Sequence, residues 1–144
     1  MELTPEQKFE ALKLRYQDHV ALLRWMTNLD FKIFGGYMTL QLAFASWLSQ
    51  HPVLATWSRL GLFVIDFTLA FLAARLLYLS DKRRNEVVAT LQNVNSALGY
   101  NTEGAFLSER ALNPPTKRYR WPLWYVAGVF VGFAGAVFVL FGGV

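Results

Sequence analysis

The sequence contains no cysteine and only two histidines, His19 and His51, which lie far apart in the chain. A disulfide framework, a thiol nucleophile and a cysteine-based metal site are therefore excluded, and two distant histidines do not make a zinc site. Charged residues make up only 17% of the chain, against roughly 25% in soluble domains. Hydrophobic residues make up 54%, which is typical of a membrane protein when they are concentrated in long runs. We expect neither a metal nor a cofactor.

Catalytic sequence motifs are missing as well. The sequence has no GxSxG, no HExxH and no phosphate-binding glycine loop, and no pair of carboxylates has a spacing typical of catalysis. The internal repeat that would suit a small multidrug-type transporter is absent too. The chain is therefore predicted not to be an enzyme.

The hydrophobic residues form three long runs, at 33–48, 60–79 and 123–144. A helix that crosses a bilayer needs about 20 mostly apolar residues. The second and third runs meet this length, and Phe31 with the stem of Lys32 extends the shorter first run. The predicted fold class is all-α, an integral membrane protein with three transmembrane helices and a cytoplasmic helical layer. The chain divides into a cytoplasmic helix continuous with the first span, a transmembrane hairpin, a cytoplasmic helix with a Pro-containing linker, and a third transmembrane helix, at 1–30, 31–79, 80–120 and 121–144.

Positive charges predict an orientation in the membrane. Five Lys or Arg residues precede the first run and seven lie between the second and third runs, whereas the connection 49–58 carries none. Because Lys and Arg in short loops mark the cytoplasmic side, the N-terminus and segment 80–120 are predicted to be cytoplasmic and the C-terminus periplasmic. The predicted location is a bacterial inner membrane, crossed several times. The cations cluster at the bilayer edge, which indicates contact with anionic membrane lipids and not with nucleic acid.

Segment 1–30 carries the signals of a long amphipathic helix. Thr4 and Gln7 are placed to form a capping box. Apolar residues then recur in alternating steps of three and four, and this stripe is called here the cytoplasmic seam: Phe9, Leu12, Tyr16, His19, Leu23 and Met26. The register continues into the first run, where the helix could bend at Gly35-Gly36. The seam packs either against the second cytoplasmic segment of the same chain or against another subunit.

Segment 80–120 is predicted to form a second cytoplasmic helix. Ser80 can cap its beginning, and Gly99 is a natural residue for its end. Beyond Gly99 the sequence predicts a short helix at 105–112 and a break at Pro114-Pro115.

Asp66 stands among apolar residues inside the second run. An ionised carboxylate in hydrocarbon is costly, and such residues face a bundle interior or a wet cavity. Arg59, two turns earlier on the same side of the helix, and Gln41 in the first run are candidate partners. Three hypotheses stay open: a buried structural network, a proton relay, or the wall of a pore in which symmetry repeats Asp66 into an acidic ring that favours cations.

Small residues in the third run indicate close helix packing. Gly128, Gly132 and Ala136 recur at four-residue spacing, so they share one helix face and let another backbone approach closely. The contact can lie between subunits or within the chain. A bundle of three helices is thin, and a buried acid in such a bundle favours a homo-oligomer that completes the site.

The order of these elements resembles a known family. A helical cytoplasmic leader, two membrane helices with a short outer connection, and a cytoplasmic helix ending in LGYNTEGAF (98–106) resemble the SLATT-type small membrane proteins of bacteria, over about residues 5–105. The resemblance implies an effector of a phage-defence or nucleotide-signalled system that oligomerises and permeabilises the inner membrane. The third span at 123–144 is an addition to the minimal two-helix pattern of that family.

Two functions are therefore expected. The first is a homo-oligomeric inner-membrane channel or pore-forming effector that is gated from its cytoplasmic helices, with a cytoplasmic partner protein as a candidate trigger. The alternative is a membrane anchor or scaffold that does not conduct and recruits a cytoplasmic partner protein.

Overall fold

The structure, a computed structural model, describes residues 4–104, 107, 108, 111 and 122–142. Within these residues the chain forms helices α1 (Pro5–Gln50), α2 (Thr56–Ala97) and α3 (Pro122–Gly142). The all-α fold class is confirmed. The predicted short helix at 105–112 and the break at Pro114-Pro115 lie for the most part outside the described residues.

Two of the helices are long and apolar enough to cross a membrane. They are α2, over Thr56–Ala97, and α3, over Leu123–Gly142. The run at 33–48 is not among these candidates, since it is shorter than the about 20 residues that a span needs. Its apolar stretch is also interrupted by Thr39 and Gln41.

The N-terminus of α1 has the predicted capping box. The backbone N–H of Thr4 donates to Oε1 of Gln7 at 3.0 Å, and the backbone N–H of Gln7 donates to Oγ1 of Thr4 at 3.3 Å. Two N–H groups that the first turn would leave without partners are thereby satisfied. From Pro5 onward α1 is helical as far as Gln50, including Gly35 and Gly36.

No new helix begins at Ser80. Helix α2 is continuous from Thr56 to Ala97, so the prediction of a separate helix capped by Ser80 is wrong. A capping residue starts a helix only where the preceding backbone has left the helical conformation, and residues 60–97 contain no Pro and a single Gly near their start that could interrupt it.

The predicted stop at Gly99 is confirmed in detail. Gly99 has φ 78°, a conformation that costs glycine little because it has no Cβ. The backbone N–H of Tyr100 donates to the carbonyl of Asn95 at 2.9 Å, and that of Gly99 donates to the carbonyl of Ser96 at 3.1 Å. These two bonds form a Schellman motif, which satisfies the last carbonyls of α2.

The chain divides into two compact units. Unit 1 comprises the described parts of Met1–Thr27 and Lys82–Tyr119, and unit 2 those of Asn28–Asp81 and Arg120–Val144. The divisions lie within three residues of the boundaries at 30, 80 and 120 that the sequence predicts between cytoplasmic and membrane segments.

Unit 1 buries one face of each of its helical segments. Met26 of α1 and Leu91 and Val94 of α2 are less than 10% exposed. The rings of Tyr16 and Tyr100 meet edge to face, with centroids 6.3 Å apart, so the turn that follows Gly99 returns the chain to α1.

Unit 2 has a core to which α1, α2 and α3 all contribute. Its buried members, from the three helices in turn, are Tyr37, Ala70, Ala73, Leu77, Tyr125 and Val129. Outside this core many large apolar side chains are exposed, among them Leu42 at 70%, Val131 at 71% and Phe138 at 76%. The outer surface of unit 2 is therefore as apolar as a bilayer interior would require.

Candidate functional site

Asp66 is buried inside unit 2 although its neighbours in sequence are not. Its exposed fraction is 4%, whereas Ile65 is 60% exposed and Phe67 is 50% exposed. The spacing of Asp66 from Ala70 and Ala73 places all three on the helix face that packs inward. The carboxylate therefore faces the other helices of the unit, as its sequence context predicts.

Gln41 of α1 is the partner of Asp66. Its amide Nε2 donates a hydrogen bond to Oδ1 of Asp66, and Gln41 is itself only 5% exposed. Tyr37 lies one turn before Gln41 on α1, and its side chain is likewise 5% exposed. A buried polar link thus joins α1 to α2 at the level of Asp66.

This polar link leaves some hydrogen-bonding capacity unused. Within the described part of the chain, Oδ2 of Asp66, Oε1 of Gln41 and the hydroxyl of Tyr37 are buried without a hydrogen-bond partner. A buried polar atom without a partner costs about 1–3 kcal/mol, and a charged one costs more. Such atoms are rare in folded proteins and usually have a reason, such as a role for water or an ion.

A groove beside Asp66 opens from unit 2. It is lined by apolar residues of α1 and α2 together with the two polar residues, and its volume is about 180 Å³. Its lining residues are Leu40, Gln41, Phe44, Leu62, Ile65, Asp66 and Leu69. The groove has room for a small molecule, and its exposed wall is almost wholly apolar, because Oδ2 of Asp66 and Oε1 of Gln41 are buried behind it.

Arg59, the other candidate partner, does not bond to Asp66 among the described residues. Its Nε donates to the backbone carbonyl of Val53, and the side chain lines a separate cavity of about 370 Å³ between the connection of α1 to α2 and the end of α3. Among the described residues no ion pair joins Arg59 to Asp66. Seven residues of helix separate them by about 10.5 Å along the axis, and the carbonyl of Val53 is closer to the guanidinium. Of the two candidate partners, the structure brings only Gln41 to Asp66.

The small residues of α3 face α1 of the same chain. A Cβ placed on Gly128 would lie 2.7 Å from Cε2 of Phe34, and one on Gly132 would lie 3.2 Å from Sδ of Met38. Ala136, on the same face, is 2% exposed. These three residues therefore occupy an intrachain helix contact.

The cytoplasmic seam lies in unit 1 and is only partly buried. Met26 is buried, and Phe9 is 55% exposed. The four seam residues between them are half-buried: Leu12, Tyr16, His19 and Leu23. The Nδ1 atom of His19 lies 2.9 Å from the carbonyl of Arg15, a contact within its own helix. The first turns of α1 thus leave Phe9 uncovered by the described chain.

Sequence reasoning singled out Asp66 and Gln41 but gave no site role to Tyr37 or to the apolar residues that line the groove. Tyr37 continues the register of the seam into unit 2, and this periodicity was the available signal. The groove was not predictable, since its walls are ordinary Leu, Ile and Phe side chains whose meeting depends on how α1 and α2 pack.

No group of three or more His, Cys, Asp or Glu side chains within the described residues is placed to hold a metal ion. The chain matches no protein-family model, no curated protein and no solved structure. Its function is therefore argued from its own residues.

Proposed function

We propose that this protein is a three-span membrane protein of the bacterial inner membrane that assembles with copies of itself into a cation-conducting channel or pore-forming effector, gated from its cytoplasmic helices. The observation that carries the proposal is the burial of Asp66, hydrogen-bonded to Gln41, inside a unit whose outer surface is apolar. Repeated by symmetry in an assembly, this carboxylate would form an acidic ring that favours cations.

The packing of unit 2 supports a third span at 33–48. Tyr37 of this segment belongs to the same buried core as residues of α2 and α3, the two helices that could cross a membrane. Leu40 and Leu42 of the segment are 59% and 70% exposed, which suits contact with lipid chains. A helix that packs alongside two membrane helices in this way lies in the bilayer with them, and Phe31 and Lys32 extend its apolar length.

Three helices from one chain do not enclose a pore lined by Asp66. A conducting path therefore requires several copies, which agrees with the oligomer that the resemblance to SLATT-type proteins implies. Lys and Arg residues before the first span and between the second and third put unit 1 on the cytoplasmic side, where a partner protein could reach the seam.

The test uses the purified protein in liposomes, with its oligomeric state measured in nanodiscs. We expect a cation flux whose preference over anions falls in Asp66→Asn, because this change removes the charge and keeps the shape. Thr68→Val is the matched control, since the hydroxyl of Thr68 bonds to the carbonyl of Val64 in its own helix, at 2.8 Å. Thr68→Val should conduct like the parent protein.

A non-conducting scaffold is the second candidate, because the hydrogen bond from Gln41 to Asp66 accounts for part of the burial without any pore. An oligomer that carries no current, or a chain that stays strictly monomeric, would favour the scaffold. Unchanged selectivity in an intact, conducting Asp66→Asn oligomer would exclude the acidic ring.

A further inference from the structure

The guanidinium of Arg59 has donors that no described residue uses. Its Nε donates to the carbonyl of Val53, and within the described chain the side chain makes no other hydrogen bond and no ion pair. The Nη1 and Nη2 atoms are not among the buried atoms that lack a partner, so a molecule outside the chain can reach them. Arg59 therefore differs from Asp66, whose free oxygen is buried.

The positive charge of Arg59 is not balanced by the sequence around it. Between residues 33 and 74 the Lys, Arg, Asp and Glu residues are Arg59 and Asp66, and none follows Arg120. Asp66 is buried, bonded to Gln41 and about 10.5 Å farther along α2. Because a half-buried cation without a counter-ion is costly, an anion from outside the chain would stabilise it.

The cavity that Arg59 lines has both polar and apolar walls. Arg59 is half-buried, Ser49 is exposed, and α3 contributes the apolar side chains Phe138, Val139 and Leu140. The volume of about 370 Å³ lies within the range of about 300–1,000 Å³ that is usual for small-molecule sites. A suitable occupant therefore combines a negative charge with an apolar group.

The place of the cavity in unit 2 indicates which anion this is. In the proposed three-span arrangement, the connection of α1 to α2 and the end of α3 meet at the membrane surface. Trp47 is next to the cavity residue Leu48, Trp57 is two residues before Arg59, and these two Trp side chains are 48% and 84% exposed. Trp is enriched where a membrane meets water, the level at which lipid phosphates lie. Arg binds a phosphate through two parallel N–H bonds, for which Nη1 and Nη2 are available.

We infer that the cavity is a binding site for one anionic phospholipid. The phosphate accepts hydrogen bonds from Nη1 and Nη2 of Arg59, and the beginning of an acyl chain packs on Phe138 and Val139. A zwitterionic lipid fits less well, because the acid nearest in sequence, Asp66, is buried and cannot receive a headgroup ammonium. The inference rests on the membrane placement of unit 2 given in the proposed function, and it requires neither assembly nor conduction.

A titration of the full chain in maltoside micelles, which contain no phosphate, tests the inference. Native mass spectrometry counts the lipids that the protein retains. Dioctanoyl phosphatidylglycerol should fill one site per chain to saturation. Dioctanoylglycerol, which lacks the phosphate, and glycerol 3-phosphate, which lacks the acyl chains, should each bind at least about tenfold more weakly. Dioctanoyl phosphatidylethanolamine should also bind more weakly than phosphatidylglycerol.

Two pairs of variants test the location of binding. Arg59→Gln should weaken phosphatidylglycerol binding about tenfold or more, whereas Arg75→Gln, the same change at an exposed residue of α2 outside the cavity, should leave it unchanged. Ser49→Trp should fill the cavity and abolish binding. Its control is Gln50→Trp, at an exposed neighbour that does not line the cavity, and this variant should bind like the parent protein.

Equal weakening by Arg59→Gln and Arg75→Gln would overturn the inference, since it indicates a general attraction of lipid to cations. Glycerol 3-phosphate binding as tight as that of the lipid would assign the site to a free phosphate, and equally tight dioctanoylglycerol would remove the role of the charge. Full binding by Ser49→Trp would place the lipid elsewhere. The outcome for conduction is separate. Lipid binding without flux would contradict the channel alone, and flux without saturable binding would contradict the lipid site alone.

Discussion

Position 128 leaves no room for a side chain larger than that of glycine, because the ring of Phe34 on the neighbouring helix α1 lies close to it. A Cβ on Gly128 would lie 2.7 Å from Cε2 of Phe34, and the ring of Phe34 also packs against that of Tyr125, one turn earlier on α3, with ring centroids 4.9 Å apart. A larger residue at position 128 therefore requires the ring to shift and disturbs this aromatic contact. At Gly135, in contrast, a Cβ would meet nothing within 4 Å.

This difference gives a matched pair of substitutions on α3. We expect Gly128→Leu to lower the free energy of unfolding in detergent by about 1–3 kcal/mol or more, as overpacked cores do. Gly135→Leu should change it little, since both variants gain the same helix propensity and only one meets another side chain. Unfolding of the purified variants followed by circular dichroism measures the difference. A Gly128→Leu protein as stable as Gly135→Leu would show that Phe34 does not pack where the structure places it.

The same pair separates packing within the chain from assembly. Gly128→Leu acts on a contact between α3 and α1 of one chain, so we expect it to reduce the amount of folded protein. If the oligomer dissociated while each subunit stayed folded, the small residues of α3 would belong to a subunit contact instead.

At the scale of the helices, the part of α1 that lies in unit 1 contains both half-buried and exposed leucines. Leu23 belongs to the seam and is half-buried in unit 1, whereas Leu14 is 61% exposed. A gate that works through unit 1 would depend on the half-buried seam residues, such as Leu23.

We expect Leu23→Asp to destabilise unit 1 by about 1–3 kcal/mol, because it puts a charge into a packed contact. Hydrogen exchange followed by mass spectrometry should show faster exchange of backbone amides over residues 5–27 and 82–97. Leu14→Asp is the control and should exchange like the parent protein. Equal exchange in the two variants would show that the seam is not a packed interface, and a gate there would lose its basis.

The helix ends were predictable to the extent that they depend on neighbours in sequence. The capping box of Thr4 and Gln7 and the turn at Gly99 depend on hydrogen bonds that span three to five residues. Both could therefore be predicted from the sequence. The helix start predicted at Ser80 was wrong, because a capping residue has an effect only where the helix is already interrupted. The distance of Asp66 from Gln41 was not predictable, since periodicity gives the face of a helix and not the gap to the next one. The separation of Asp66 from Arg59 along α2, about 10.5 Å, follows from helix geometry.

At the scale of the whole chain, gating from the cytoplasmic helices depends on the membrane topology, since a cytoplasmic trigger needs unit 1 on the cytoplasmic side. The asymmetry of Lys and Arg predicts that a reporter fused after Val144 is periplasmic and that one inserted near Asn101 is cytoplasmic. Alkaline phosphatase and a fluorescent protein, active on opposite sides, provide the paired measurement.

Agreement of both reporters with this orientation is the expected outcome. A cytoplasmic reading after Val144 together with a periplasmic one near Asn101 would reverse the chain in the membrane. A cytoplasmic reading at both sites would show that α3, the one predicted span between them, does not cross the membrane.

The hydrogen bond between Gln41 and Asp66 has a consequence for how the chain is made. Its two ends are 25 residues apart, and the amide leaves the ribosome before the carboxylate. An aspartate at the centre of a helix costs about 2.5–3.5 kcal/mol when the translocon releases that helix alone. Under the proposed three-span topology, Gln41 therefore offers a hydrogen-bond donor in the preceding helix before Asp66 is synthesised, and we expect the segments at 33–48 and 60–79 to enter the lipid as a pair.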